Sequence, residues 1–209
     1  MGNGLVIAAI TAVLKDLLET GLVKSAAMST LGDVAVTALP LDRVSGGSEE
    51  RIQLNLFLYQ ITQNRNADWI ARERGRNAVN YTDAAKKNLV PPLALNLHYL
   101  LTAHGSKDFQ IEMLLGYVIE LFQATPVLTR EEVQTALKHL TIVNSSSLFA
   151  QAYSTLKIDL TEQLNQIRIS PTFFSSEEIS RLWSVMQSPY RPSIAYEVST
   201  VLIENTELC

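Results

Sequence analysis

Two long runs of alternating residues constrain the fold of this chain more than any other feature. The first run, RIQLNLFLYQITQ, covers Arg51–Gln63, and the second, PPLALNLHYLLTAHG, covers Pro91–Gly105. In each run an apolar residue, usually leucine, recurs at every second position, and side chains along a β-strand point alternately to the two faces of a sheet. Both runs exceed the usual strand length of about five or six residues. The pattern therefore predicts two long strands, each with one buried face.

The remaining periodicities predict helices and short strands around these two runs. Capping boxes are expected where Thr129 precedes Glu132 and where Ser175 precedes Glu178, because this spacing satisfies main-chain N–H groups at a helix start. Ser106 is the expected N-cap of a third helix, with Phe109 in its buried stripe. Helices are predicted at Leu5–Leu22, Lys107–Ala124, Thr129–Leu140 and Ser175–Gln187. Short strands are predicted at Asp33–Asp42 and Gln166–Ser170 (closed by Pro171), and a further long strand at Ser193–Glu204.

These elements define one α+β domain over residues 1–209. The expected architecture is a mixed, mainly antiparallel sheet of about four to five strands, packed against about three to four helices. Ser145–Leu164 can be helical at Leu148–Tyr153 and strand-like from Leu156 through Leu160, and the periodicity does not choose between the two. A polar, basic insert is expected at about residues 63–90, where the hydrophobic periodicity fades.

Composition excludes several classes of protein. Cys209 is the only cysteine, so the chain has no internal disulfide and no cysteine-based zinc site, which fits a reducing compartment. The N-terminal apolar stretch is interrupted by Lys15, Asp16 and Glu19 and does not resemble a signal peptide. No apolar run approaches the ~20 residues that span a bilayer. The sequence therefore predicts a protein assembled in the cytoplasm.

Catalytic, cofactor-binding and metal-binding motifs are not recognisable. The three histidines, His98, His104 and His139, lack the spacing of metal ligands, and the short glycine pairs lack a phosphate-binding lysine. The acidic pairs at the predicted helix starts favour the positive end of the helix dipole and need no catalytic role. No enzyme, cofactor or metal is expected. One alternative remains open: a small ligand-binding protein or enzyme with a site near His98 and His104.

The predicted insert reverses the charge of the chain. From Thr62 to Val90 it carries six basic and three acidic residues, a net +3, whereas the whole chain has a net charge of −4 and the remainder therefore −7. Arginine and tryptophan are favoured at protein interfaces. A protein-binding arm is the preferred interpretation, and a nucleic-acid-binding module that uses Arg65–Arg76 is the alternative. The candidate interface residues are Arg65, Trp69, Arg72, Arg74 and Arg76.

The order of five segments resembles a known family. The segments are NLFLYQITQNRNADW, PPLALNLHYLLTAHG, MLLGYVIELFQATPVL, ISRLWSVM and YRPSIAYEVSTVLIE. Together they resemble the cap, or tail-terminator, proteins of phage-tail-like contractile injection systems, the group that includes the anti-feeding prophage and the virulence-cassette particles. The resemblance implies a tail-terminator-like fold and a structural, non-enzymatic role.

The same resemblance implies partners. Members of the family form a hexameric ring that closes the baseplate-distal end of the inner tube and sheath, so the expected partners are copies of this chain, the sheath protein and the inner-tube protein. No nucleic acid and no small-molecule substrate are expected. Arg51–Gln63 and Ser193–Glu204, with Tyr196 and Glu197, are the expected sheet edges for contact with neighbouring subunits. The particle would be released or attached to a membrane.

Overall fold

The computed structural model describes residues 5–44, 52–67, 93–143, 148–156 and 166–203. Within these ranges the chain forms five α-helices and six β-strands. The helices are α1 (Val6–Lys24), α2 (Gln110–Ala124), α3 (Arg130–Val143), α4 (Leu148–Leu156) and α5 (Ser176–Val185). The strands are β1 (Ala35–Thr37), β2 (Gln53–Gln63), β3 (Leu93–His104), β4 (Val127–Thr129), β5 (Gln166–Thr172) and β6 (Ser193–Ile203). Short 3-10 helices lie at Met28–Leu31, Leu41–Arg43 and Arg65–Ala67.

All six strands belong to one sheet in the order β1-β2-β3-β6-β5-β4. Only the β1–β2 pair is parallel, and the other four pairs are antiparallel. The expected mixed, mainly antiparallel α+β fold is confirmed, with one strand and one helix more than the upper limits of the prediction. The register of β2 against β3 shifts between Leu58 and Gln60, which indicates a bulge at Tyr59.

The two leucine-rich strands bury one face against the helices, as their alternation predicts. Leu54 and Leu56 of β2 and Leu97 of β3 belong to the main core with residues of α1, α2 and α3. The other face is also partly covered, because Trp183 of α5 packs in a second cluster with Leu100. Full burial of a leucine contributes about 1.5–3 kcal/mol, so these strands carry much of the folding free energy.

The start of α2 differs from the prediction. The helix begins at Gln110, and Phe109 precedes it in the left-handed conformation (φ 67°) with its side chain 73% exposed. Gln110 accepts a hydrogen bond from the main-chain N–H of Lys107 at 3.0 Å and lies so close to Gly105 that a Cβ at Gly105 would be 2.7 Å from its own. The Ser106 cap and the burial of Phe109 were therefore wrong, because this tight turn shifts the buried stripe of α2. That stripe is Gln110, Leu114, Val118 and Phe122.

The other local predictions are largely confirmed. Glu132 accepts from the Thr129 main-chain N–H at 2.7 Å, and Ser175 with Glu178 forms a complete capping box. The ambiguous segment is helical as α4, whereas Ile158 and Leu160 lie outside the described residues. Pro171 does not close β5, which continues to Thr172.

Candidate protein-interaction site

Among the described residues, the side of β2 that faces β1 is open along most of its length. β1 pairs only with Gln53–Asn55, and no other described strand pairs with β2 on that side. Ala35 donates its main-chain N–H to the carbonyl of Ile52 at 3.0 Å, so Ile52 directs its main-chain polar groups toward β1. The stretch Leu56–Thr62 continues beyond β1 without a described strand beside it.

The direction of the main-chain groups along this open stretch follows from strand alternation. Asn64 donates its N–H to the carbonyl of Ala94 at 2.9 Å, so Asn64 and Thr62 direct their main-chain polar groups toward β3. Ile61 lies between them and directs its N–H and C=O outward, away from β3. The Ile61 side chain is 46% exposed and lies on the core face, since Ile61 pairs with the core residue Leu97. An open edge of this kind can add a strand by main-chain hydrogen bonding.

Asn55 ends β1 and thereby leaves the edge open. Its side-chain Oδ1 accepts from the main-chain N–H of Leu39 at 2.9 Å, and its Nδ2 donates to the Leu39 carbonyl at 2.9 Å. Thr37 also donates to the same Oδ1 at 2.8 Å. The fully buried Asn55 thus satisfies the main chain that would otherwise continue β1. Sequence reasoning missed this residue, although a polar side chain inside a leucine-rich strand was the available signal.

The opposite edge of the sheet is short and interrupted by proline. β4 has only three residues, and Ile169 of β5 donates its outward N–H to the carbonyl of Pro126 at 2.8 Å. Two residues further along β5, the next outward position is Pro171, which has no N–H to donate. Short edge strands and prolines are the usual means of blocking an edge. Within the described residues, the sheet therefore has one long open stretch at β2 and one short, proline-interrupted edge at β4 and β5.

β6 lies inside the sheet, between β3 and β5, so the expectation that Ser193–Glu204 forms an edge was wrong. Tyr196 is 3% exposed, with its ring 4.8 Å from that of Phe122, and burial raises the pKa of Tyr196 to about 12. Glu197 points to the other face, where it accepts a hydrogen bond from the Asn96 side chain at 3.0 Å. Both residues thus have partners within the chain, and their roles in an interface stay predictions.

The predicted arginine-rich arm is described only at its beginning. Arg65 lies exposed at the start of the 3-10 helix that follows β2. Trp69, Arg72, Arg74 and Arg76 lie outside the described residues. The role of this arm therefore stays a prediction.

The histidines do not assemble a common site. His98 and His104 are six residues apart on β3, which is about 20 Å along a strand. His98 Nε2 lies 2.8 Å from the Thr62 hydroxyl, whereas His104 Nε2 lies 2.7 Å from Nη1 of Arg191. Burial, and secondarily Arg191, lower the pKa of His104, so its neutral ring accepts this hydrogen bond. A shared pocket for these two histidines is thus not formed.

His139 makes a separate contact between helices. Its Nδ1 lies 2.6 Å from Oδ1 of Asp16, which joins α3 to α1. Among the described residues, no group of three or more histidine, cysteine or acidic side chains could hold a metal ion. Nor is any described helix long and apolar enough to cross a membrane.

The fold is that of a structural component in a solved injection particle. The chain superposes on the sheath/tube terminator, in the extended state, of the extracellular contractile injection system PVC, determined by cryo-EM. The TM-score is 0.51 at 15% identity, and the match covers 96% of this chain and 57% of that one. The chain thus spans less than two thirds of the terminator that it matches. The cap of the anti-feeding prophage, a tube-terminating cap, gives a TM-score of 0.46 at 12% identity over 83% of this chain and 49% of that chain. That TM-score does not by itself establish a shared fold.

Sequence comparison defines the family. The profile described as the Pvc16 N-terminal domain matches residues 9–208, nearly the entire chain. The protein belongs to the Pvc16 N-terminal domain family, in agreement with the resemblance in the five segments. A comparison with curated protein sequences found no match.

Proposed function

We propose that this chain is the cap, or tail terminator, of a contractile injection system. In this proposal it forms a hexameric ring that closes the baseplate-distal end of the inner tube and sheath, ends their polymerisation and stabilises the sheath. The observation that carries the proposal is membership of the Pvc16 N-terminal domain family over residues 9–208. The fold shared with the PVC sheath/tube terminator supports it.

The two unlike edges of the sheet suit a protein that ends a polymer. A helical tube or sheath grows because each subunit offers the next one the same surface that it has just used. A subunit that offers one complementary surface and one non-complementary surface stops this growth. The open stretch at Leu56–Thr62 supplies the first surface, and the edge formed by the three-residue β4 and by Pro171 of β5 has the character of the second.

The partner proposed for the open edge is an extended segment of the sheath protein. Main-chain hydrogen bonds to the outward groups of β2, including those of Ile61, would add this segment to the sheet as a further strand. Such pairing depends on register more than on side-chain identity, so one edge can accept the repeating end of a polymer. No bond is made or broken in this role, and the protein acts without catalysis.

The rest of the chain fits the same proposal. Residues 1–209 act as one tail-terminator-like domain, and the basic insert at about residues 63–90 reaches an adjacent protomer or an acidic rim of the sheath or tube. Assembly takes place in the cytoplasm, and the chain then becomes part of a particle. Arg65 is the described residue from which this arm would begin.

Electron microscopy of purified particles with and without this subunit tests the cap role. Particles that lack the subunit should have tubes and sheaths of uncontrolled length, or sheaths that fall apart, and restoring the subunit should restore one length. A particle population of unchanged length and stability without the subunit would exclude a cap.

The role of the edge is tested by Ile61→Pro, which removes one outward N–H without removing a hydrogen bond to β3. The matched control is Ile61→Thr, which keeps the N–H and the β-branched shape and shortens a side chain that is 46% exposed. We expect Ile61→Pro to fold and to cap poorly, and Ile61→Thr to cap normally. Normal capping by both variants would reject the proposed role of this edge in strand addition while leaving the cap role intact.

A further inference from the structure

Arg191, between α5 and β6, has a guanidinium group that is held in place without an acidic partner. Its Nη1 donates to the carbonyl of Val44 at 3.0 Å and to Nε2 of His104 at 2.7 Å. Both acceptors are neutral, because burial and the nearby charge of Arg191 lower the pKa of His104. Within the described part of the chain, no aspartate or glutamate forms a salt bridge with Arg191. The positive charge of Arg191 is therefore fixed in position and uncompensated.

The remaining donors of Arg191 are available to an external acceptor. A guanidinium has five N–H groups, and the two on Nη1 are the ones that bond to Val44 and His104. Nε and Nη2 have no hydrogen-bond partner among the described residues, and neither atom is buried. Together they form one side of the planar guanidinium fork, which matches the two oxygens of a carboxylate. The free side of Arg191 thus fits an anion that the described chain does not supply.

The segment that carries Arg191 is restrained and exposes an aromatic ring beside it. Tyr190 is 64% exposed, and its ring lies 5.8 Å from that of the buried Trp183 in an edge-to-face contact. Pro189 and Pro192 flank the two residues, and each proline fixes its own main-chain φ angle. A preorganised segment loses little conformational entropy when it binds a partner. Because tyrosine and arginine are enriched at binding hot spots, this pair has the character of a protein-binding site.

We infer that Tyr190 and Arg191 form a docking site for a carboxylate side chain on a second copy of this chain. This inference rests on the proposed function, because it names a contact between neighbouring copies in the ring. Charge complementarity favours a second copy as the source, since the chain outside residues 62–90 has a net charge of −7. Arg191 and the carboxylate lie on different parts of one molecule, so the contact is heterologous. Heterologous contacts generate closed rings when their rotation closes.

A photo-cross-linking phenylalanine analogue in place of Tyr190 identifies the partner in assembled particles. The analogue keeps an aromatic ring at an exposed position and leaves Arg191 unchanged. We expect a cross-linked product of the size of two copies, joined at a peptide that contains aspartate or glutamate, as identified by mass spectrometry. A cross-link within one chain, a cross-link to the sheath or tube protein, or no cross-link overturns the inference.

Arg191→Gln, combined with the analogue at residue 190, tests the contribution of the charge. The matched control is Arg168→Gln at an exposed position of β5, which removes the same charge elsewhere on the surface. We expect Arg191→Gln to lower the yield of the two-copy product at least about tenfold, the effect of losing a charge-assisted hydrogen-bonded contact. Arg168→Gln should leave the yield unchanged. Equal yields from the two variants would overturn the inference.

Arg191→Lys keeps the test decisive if Arg191→Gln fails to fold. It retains a positive charge and a donor for the carbonyl of Val44, and it lacks the planar fork. We expect a thermal unfolding midpoint close to that of the natural chain and a lower cross-linking yield; a natural yield would reject a carboxylate bound by the fork. If capping requires the subunit but residue 190 cross-links elsewhere, the docking site is rejected and the cap function stands. If particles keep one length and stability without the subunit, the proposed function fails, and this inference fails with it.

Discussion

The pair formed by Tyr99 and Thr11 joins β3 to α1 in the middle of the core. Tyr99 is fully buried, and its hydroxyl lies 2.8 Å from Oγ1 of Thr11. Thr11 also donates its hydroxyl to the carbonyl of Ile7 at 3.1 Å. Because a hydroxyl has one hydrogen, Tyr99 is the donor to Thr11 in this arrangement. The Tyr99 hydroxyl therefore relies on Thr11 as its acceptor, whereas the Thr11 hydroxyl donates to Ile7 instead.

This asymmetry predicts that Thr11→Val destabilises the chain more than Tyr99→Phe. Thr11→Val leaves the buried O–H of Tyr99 without a partner, which costs about 1–3 kcal/mol. Tyr99→Phe removes both the hydroxyl and its need for a partner, and Thr11 keeps its bond to Ile7, so the expected cost is about 0.5–1.5 kcal/mol. The double variant should cost less than the sum of the two single ones, since the orphaned hydroxyl is then absent.

Urea unfolding followed by circular dichroism and by fluorescence measures these free energies of unfolding, provided that the two transitions coincide. For a chain of this size, each 1 kcal/mol shifts the thermal midpoint by roughly 2–4 °C. An equal or smaller effect of Thr11→Val, or strictly additive effects in the double variant, would refute the assignment of Tyr99 as the dependent donor.

Two further predictions concern His104 at the end of β3 and Ser175 at the start of α5. The pKa of His104 is lowered from 6.5, so the unfolded chain binds this proton more readily, and the free energy of unfolding should fall as the pH falls from 6.5 toward the lowered value. His104→Gln keeps an acceptor for Arg191 and should lose this part of the pH dependence in urea unfolding at pH 7 and pH 5; an unchanged dependence would contradict it. Ser175→Ala removes the N-cap of α5 and should cost about 0.5–2 kcal/mol, whereas the neighbouring Ser176→Ala should be nearly neutral in the same assay. Equal costs for these two serines would show that the cap does not stabilise α5.

Local signals in the sequence predicted the elements that local chemistry controls. The alternating leucines gave β2 and β3 with the correct buried face, because burial on one side of a strand imposes a period of two. The capping boxes at Thr129 and Ser175 depend only on residues three positions apart, and both form. The predicted burial of Phe109 was wrong because its position depends on how Gln110 packs against Gly105, and periodicity carries no information about that contact.

The candidate site was predicted only in part. In the sheet order β2 lies between β1 and β3, with Leu56–Thr62 extending beyond β1, and its use as an edge stays a prediction. β6 was expected to form an edge as well and lies between β3 and β5. Alternation reports which faces of a strand are buried, and it carries no information about the two lateral edges, which lie perpendicular to those faces. A polar Asn55 inside a leucine-rich strand was a signal in the sequence, but its part in ending β1 could not be predicted, since it requires Leu39 to be brought beside β2.

The amino-acid sequence alone determined the α+β class, the long strands and the capped helices, and its five ordered segments indicated the family. The tertiary structure decided the order of the strands, and with it that Leu56–Thr62 extends beyond β1 whereas the opposite edge consists of the short β4 and the Pro171 end of β5. The physical reason is that strand order is set by pairing between distant segments, whereas periodicity and capping are set by neighbours along the chain.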